Sequence, residues 1–302
     1  MLIVNCHNVV SGALNSYDRF AAPRIEIGQF TSAIDALAER FAFITMDEML
    51  ARLDWRGASQ PTVTLTFDDG YQGVLREAFP VLQARGIMAS VMVVTQVLEA
   101  PQRLFHFEEI EMAFRISTAR AIAVPGLPPA SLDTIEERLA CLKAFKQALK
   151  TTPEATRSAR HDLLLRHLGV SREQLQEQST GLSVFTKMGG EELKFLLSSG
   201  WAIGSHTCTH RTLSQLDDID AAREIAQSHD DIRAYFGVSS MPFAYPYGGP
   251  QHVGGRIRDL VARSGYSCAL STRRGAVGAD PDRFALRRVD LADCRPGAQV
   301  AQ

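Results

Sequence analysis

The chain predicts an α/β fold, and three observations carry that prediction. Apolar runs of strand type alternate with segments whose apolar residues recur at helical spacing, giving about seven strands with intervening helices, which suggests a barrel. Two of those strands end abruptly in polar clusters, Asp68-Asp69-Gly70 and His206-Thr207-Cys208-Thr209-His210. A length of 302 residues with 45% apolar content fits one large domain, or one domain carrying an insertion.

In chain order, Leu2–Val10 reads as one buried strand, and Phe30, Ile34, Leu37, Ala38 and Phe41 follow at helical spacing. Thr45-Met46-Asp47-Glu48 has the pattern of a capping box, opening a short helix through Leu53 before the Trp55–Pro61 loop. Val63, Leu65 and Phe67 alternate with Thr62, Thr64 and Thr66, so Asp68 and Asp69 stand where a strand leaves the sheet. Val74–Gly86 returns as a helix interrupted at Pro80, and Met88–Val94 is an apolar strand of the kind buried in parallel sheets.

From 104 to 186 the pattern becomes purely helical, interrupted by the turn-forming Pro125-Gly126-Leu127-Pro128-Pro129. It reads as a helical insertion within a single domain spanning 1–302, with His106, His161 and His167 as surface or helix-packing residues. The alternation resumes with a helix from Gly189 to Ser199, a strand at Trp201–Gly204 and a long amphipathic helix from Asp217 to Phe236 ending at Gly237. Pro242–Tyr245, Tyr266–Leu270 and Phe284–Leu291 supply further strands, with Ile257–Ser264 as a helix.

Net charge of −2 and a pI near 6.5 provide no basic field for nucleic acid. No apolar stretch is long enough to span a bilayer, and the N-terminal run lacks the basic region and length of a signal peptide. The cysteines at 6, 141, 208, 268 and 294 are odd in number and scattered, which suits a reducing, cytoplasmic setting. Cys208 reads as a filler between the two histidines.

The chemistry is read at the strand ends. Adjacent carboxylates in one pocket repel, and a cation or a split in their pKa values relieves that repulsion. Taken alone, Asp68-Asp69-Gly70 also fits a plain Asp-Gly turn. Imidazoles four residues apart converge on one ion, and one added Asp gives three ligands with a position left open, as a catalytic metal site requires. The same two-histidine, one-carboxylate set also suits Fe(II) oxygen chemistry, although that chemistry has no use for a second Asp.

Thr66-Phe67-Asp68-Asp69-Gly70 and His206–His210 resemble the first two motifs of the polysaccharide deacetylases with the NodB homology domain, carbohydrate esterase family four. Phe243-Ala244-Tyr245-Pro246-Tyr247-Gly248 is similar to the third. The resemblance implies a distorted, incomplete (β/α)7 barrel and removal of an N-acetyl group from an N-acetylated sugar or glycan, including a nucleotide- or lipid-linked precursor of a surface polysaccharide. It implies Asp69, His206 and His210 as ligands of one divalent metal, Zn2+ first, with Ni2+, Co2+ or Fe2+ as alternatives. Asp68 is then the base acting on the metal's water, and the Tyr247 backbone N–H stabilises the oxyanion.

Two departures stand out. The third motif usually carries Arg where this chain has Ala244, and the Leu-x-His of the fifth motif is Leu286-Arg287-Arg288 here. Arg cannot give up a proton near neutral pH. Arg288 is read either as a partner of Asp68 or as a solvated edge-strand residue. Asn5-Cys6-His7-Asn8-Val9 resembles the first strand of a permuted branch of the family, which nominates His7 as the acid, with His252 as rival. Deformylation, cyclic-imide hydrolysis and a non-catalytic carbohydrate-binding role stay open as alternatives.

Overall fold

The computed structural model describes residues 1–12, 14–20, 23–53, 60–125 and 128–295. The Trp55–Pro61 loop and the Pro125–Pro129 turn read from the sequence lie partly outside these residues. The chain divides into two compact units, Met1–Gly12 with Arg24–Pro101 and Lys187–Gln302, and Ala13–Pro23 with Gln102–Thr186.

The first unit is the barrel. Its seven strands are β1 (Leu2–Cys6), β2 (Thr62–Asp68), β3 (Ser90–Val93), β4 (Ala202–Ser205), β5 (Pro242–Ala244), β6 (Cys268–Arg274) and β7 (Leu286–Asp290). Neighbouring strands pair in parallel throughout, and β1 pairs with both β7 and β2, so the ring closes. The seven-stranded α/β barrel implied by the family resemblance is therefore present. A two-residue strand, Ala42–Phe43, adds to the outer edge of β2.

Strand alternation decides what faces each side. Along β2, Val63, Leu65 and Phe67 join the core shared with the surrounding helices, where Phe67 stacks on Trp201 at 5.8 Å. Thr62, Thr64, Thr66 and Asp68 therefore turn into the lumen, and all are buried. A second cluster of Ile3, Met92, Ala244, Leu270 and Leu286 packs with Met46, Met49 and Leu50 of the Met46–Leu53 helix. Thr45 and Glu48 form the expected box at its start, with Thr45 N donating to Glu48 Oε2 at 2.7 Å and Glu48 N to Thr45 Oγ1 at 3.3 Å.

The expected single strand Leu2–Val10 is broken at His7: Asn8–Val10 leaves the barrel and pairs with Arg24–Glu26. That short partner strand carried no signal of its own. Pro80 interrupts the return from Gly70 as expected, and the form of the break is a π-helical turn, Val74–Ala78, followed by the helix Phe79–Gln83. A proline has no N–H to continue the ordinary ladder backward, so the preceding turn widens.

The second unit has its own core, built from residues including Ile110, Phe114, Leu142, Phe145, Leu164 and Leu165. Its helices are His106–Ile116, Ile135–Lys150, Glu154–Leu168 and Arg172–Ser179. Ala13–Pro23 belongs here, since Tyr17 Oη donates to Phe114 O at 2.9 Å and Asp18 pairs with Arg115 at 2.6 Å. Glu111, fully buried, is neutralised by Arg115 at 2.7 Å and Lys146 at 3.5 Å.

Candidate metal centre

Strand register brings the polar strand ends to one rim. Cys6 lies opposite Phe67, so His7, one residue further on, comes level with Asp68 at the carboxyl end of the barrel, the face where (β/α) barrels build their sites. Met92 lies opposite both Asp68 and Gly204, which draws the end of β4 toward the same place.

Past β2 the chain enters Asp69 with φ 72° and Gly70 with φ 74°, and the turn is fixed where Met188 N donates to Gly70 O at 2.8 Å. Past β4, Thr207 and His210 take φ of 69° and 59°, and past β5 Tyr247 takes 62°. Among the described residues, Asp69, Thr207, His210 and Tyr247 are the non-glycine residues in the left-handed region. Such backbone costs on the order of 1–3 kcal/mol per residue and persists where surroundings over-determine it. All four gather at this rim.

These turns bring one donor atom each from Asp69, His206 and His210 within 4.8 Å of one another, all three residues buried. Asp69 Oδ1 lies 3.6 Å from His206 Nε2 and 3.4 Å from His210 Nε2, and the two imidazoles meet edge to face at 4.8 Å. His206 Nδ1 donates to Ala244 O at 2.8 Å, which fixes the tautomer whose Nε2 lone pair faces Asp69. Burial lowers the His206 pKa to about 4 against the opposing pull of Asp68, so the ring is a neutral donor at physiological pH. One carboxylate oxygen and two imidazole nitrogens form a donor set that fits a divalent cation of the Zn2+ class. Cys208 stands apart, its Sγ 3.9 Å from Asp231 Oδ2 and its thiol pushed up to about 12, chiefly by burial.

Asp68 is held differently from Asp69. Arg288, 1% exposed, reaches up the lumen from β7 and grips both carboxylate oxygens, Nη1 to Oδ1 at 2.8 Å and Nη2 to Oδ2 at 2.7 Å. Its Nε donates to Ser271 O at 3.0 Å and its Nη1 reaches Thr66 Oγ1 at 3.3 Å. Burial by itself raises the Asp68 pKa, but the Arg288 charge and hydrogen bonds, helped by His206 and His7, hold the carboxyl well below the usual range. Of the two readings of Arg288, the structure shows the pair with Asp68 and excludes the solvated edge residue. Ala244, which lacks the family's side chain, instead offers its carbonyl to His206.

His7 is half-buried, and its Nδ1 is enclosed with no hydrogen-bond partner among the described residues. Burial lowers its pKa while Asp68 and Asp290 pull it upward, which places the ring within electrostatic reach of the base candidate. His252 is buried against the Tyr247 ring at 5.6 Å, and Tyr247 in turn meets His210 at 5.2 Å. Thr272 pins that loop, its Oγ1 donating to Tyr247 O and its N to Gly248 O, each at 2.8 Å. Glu224, not singled out from the sequence, accepts from Cys208 N at 3.1 Å and Thr209 N at 2.9 Å.

A closed (β/α) barrel thus carries at its carboxyl rim a buried Asp-His-His cluster able to hold a divalent cation, with a second, ionised Asp beside it. Residues 56–157 and 173–269 match the family described as Polysaccharide deacetylase, and the chain belongs to that family. Its fold is similar to that of the Streptococcus pyogenes deacetylase PplD in complex with acetate, at 15% identity and a TM-score of 0.61, covering 96% of this chain and 91% of that one. IcaB from Ammonifex degensii gives 17% identity, a TM-score of 0.57 and coverage of 95% and 90%. The BpsB deacetylase domain from Bordetella bronchiseptica gives 17%, 0.56, and 96% and 94%. No curated protein matches the sequence.

Proposed function

We propose that this protein is a metal-dependent hydrolase that removes the acetyl group from an N-acetylated sugar, in the form of a nucleotide- or lipid-linked precursor of a surface polysaccharide. The observation that carries the reading is the convergence of Asp69, His206 and His210 donor atoms within 4.8 Å beside an Asp68 kept ionised by Arg288. Asp69, His206 and His210 would hold a divalent cation, Zn2+ first, which would supply Lewis acidity for activating water and the amide carbonyl. Asp68 takes the proton of the attacking water, its orientation set by the two-pronged grip of Arg288. His7 starts neutral, because burial outweighs its carboxylate neighbours. It can receive that proton and deliver it to the departing amine. Tyr247, in its left-handed turn, presents the backbone N–H that would face the oxyanion. The scattered cysteines support placing the protein in the cytoplasm.

Acetate release from chitooligosaccharides and from UDP-N-acetylglucosamine tests the reading, before and after chelation and with Zn2+ restored. Asp68→Asn is expected to retain the cation while losing about 10²-fold or more in kcat. Loaded protein that hydrolyses formamides or cyclic imides but releases no acetate would move the activity to those substrates. Retention of near wild-type kcat in Asp68→Asn would remove Asp68 as base.

A further inference from the structure

The loop that carries both imidazoles is strained at Thr207 and His210, so something must hold it. Part of the hold is internal, with His210 N donating to Thr207 Oγ1 at 3.0 Å and Thr207 N to Ser205 Oγ at 3.2 Å. Part comes from the segment after β3, where Thr95 N donates to Thr207 O at 3.1 Å and Gln96 N to Cys208 O at 3.0 Å. The remainder comes from one face of the Asp218–Phe236 helix. Glu224, Ser228 and Asp231 recur there at the i, i+4, i+7 spacing that aligns side chains on a single stripe. Ser228 Oγ accepts from Ser205 Oγ at 2.8 Å, and Asp231 Oδ2 from Thr95 Oγ1 at 2.6 Å.

Glu224 does the most. Its Oε2 collects the N–H groups of Cys208 and Thr209, at 3.1 and 2.9 Å, and its Oε1 accepts from Thr209 Oγ1. It is 5% exposed, a buried carboxylate whose charge is matched by donors from the residues lying between the two imidazoles. We propose that Glu224 is a positioning residue for the cation site: it clamps the Cys208-Thr209 peptides and so sets the separation and aim of His206 and His210. The proposal rests on the reading of Asp69, His206 and His210 as the cation ligands. An anion suits this place because Oε2 meets two N–H groups at once; the Thr209 hydroxyl can rotate to accept from an amide, so Gln keeps part of the clamp that Ala loses. Charge-assisted bonds of this kind are about twice as strong as neutral ones.

The test measures Co2+ affinity by chelator competition, together with the visible Co2+ spectrum, in wild type, Glu224→Gln and Glu224→Ala. Residues that support metal ligands are worth about 10- to 100-fold in affinity, and that loss is expected for Glu224→Ala, with a smaller one for Glu224→Gln. Asp230→Asn, an exposed charge on the same helix, should leave both readouts at wild-type values. Hydrogen exchange of the cation-free proteins supplies a readout independent of the metal, and amides of the 205–210 segment should exchange faster in both Glu224 variants. Wild-type affinity, spectrum and exchange in both variants would overturn the proposal. If the wild-type protein takes up no Co2+, the cation reading fails, and the exchange measurement alone decides whether Glu224 holds the loop. Co2+ uptake without acetate release would sink the substrate assignment and leave the Glu224 role standing.

Discussion

Arg288 carries a full charge into the barrel lumen because Asp68 meets it there with both oxygens, and neither residue is tolerable in that place alone. Replacing Arg288 by Met should therefore destabilise the protein by about 3–5 kcal/mol at neutral pH, read by urea unfolding, as expected when one partner of a buried pair is lost. The sign of the pH dependence follows from the depressed Asp68 pKa. Its pair with Arg288 stabilises above the ordinary carboxylate range and is lost as pH falls through the depressed value. Without Arg288, burial loses its largest opponent, so the acid limb of kcat/KM should move to higher pH in Arg288→Met; an unmoved limb would detach Arg288 from the state of Asp68. His7 makes a separate prediction. If it delivers the proton to the leaving amine, His7→Ala should lower kcat strongly on sugar amides and much less on acetyl substrates with a good leaving group. His252→Ala should leave that ratio unchanged, since His252 packs on Tyr247.

Among the elements, the strands were the most legible, because period-two alternation and burial agree: Val63, Leu65 and Phe67 had to face one way, which sent Asp68 the other. The Thr45–Glu48 box is local chemistry and could be read directly, whereas Asp217, read as the first residue of its helix, is the cap of Asp218–Phe236. The break at His7 could not be read, because polar residues are sparse along Leu2–Val10 and what diverts Asn8–Val10 is pairing with Arg24–Glu26, a three-residue strand with no pattern of its own. Glu224 was hidden for a related reason: a polar residue on a helix looks solvent-facing until the loop that it receives is in place. The helix Glu154–Leu168 contributes a pH prediction of its own. His161, buried and beside the cationic Arg172, has its pKa lowered to about 4, with burial the largest cause. The unfolded chain therefore binds the extra proton between about pH 6.5 and 4, and stability should fall across that window as pH drops, by up to about 3 kcal/mol. His161→Gln should flatten that part of a pH-dependent unfolding curve; an unchanged slope would assign the acid sensitivity elsewhere.

For the molecule as a whole, cation binding at the proposed site would be linked to folding, since a site assembled from two distant segments exists only in the folded chain. At a free Zn2+ concentration of 100 Kd the barrel should gain about 2.7 kcal/mol, seen as a rise in Tm that disappears in the His206→Ala, His210→Ala double variant. An equal rise in that variant would place the cation elsewhere. No helix among the described residues is long and apolar enough to cross a membrane. By itself the sequence determined the alternating strands and helices, the two clusters at strand ends, and through them the family and the candidate ligands. These are local signals, carried by periodicity and by short runs of residues. Tertiary structure alone decided that Arg288 serves Asp68, that Ala244 orients His206 through its carbonyl, and that Glu224 stands behind the histidine loop. Each of those contacts joins residues 15 to 220 positions apart, and their register is set by the closure of the barrel and by packing against it, which no local pattern encodes.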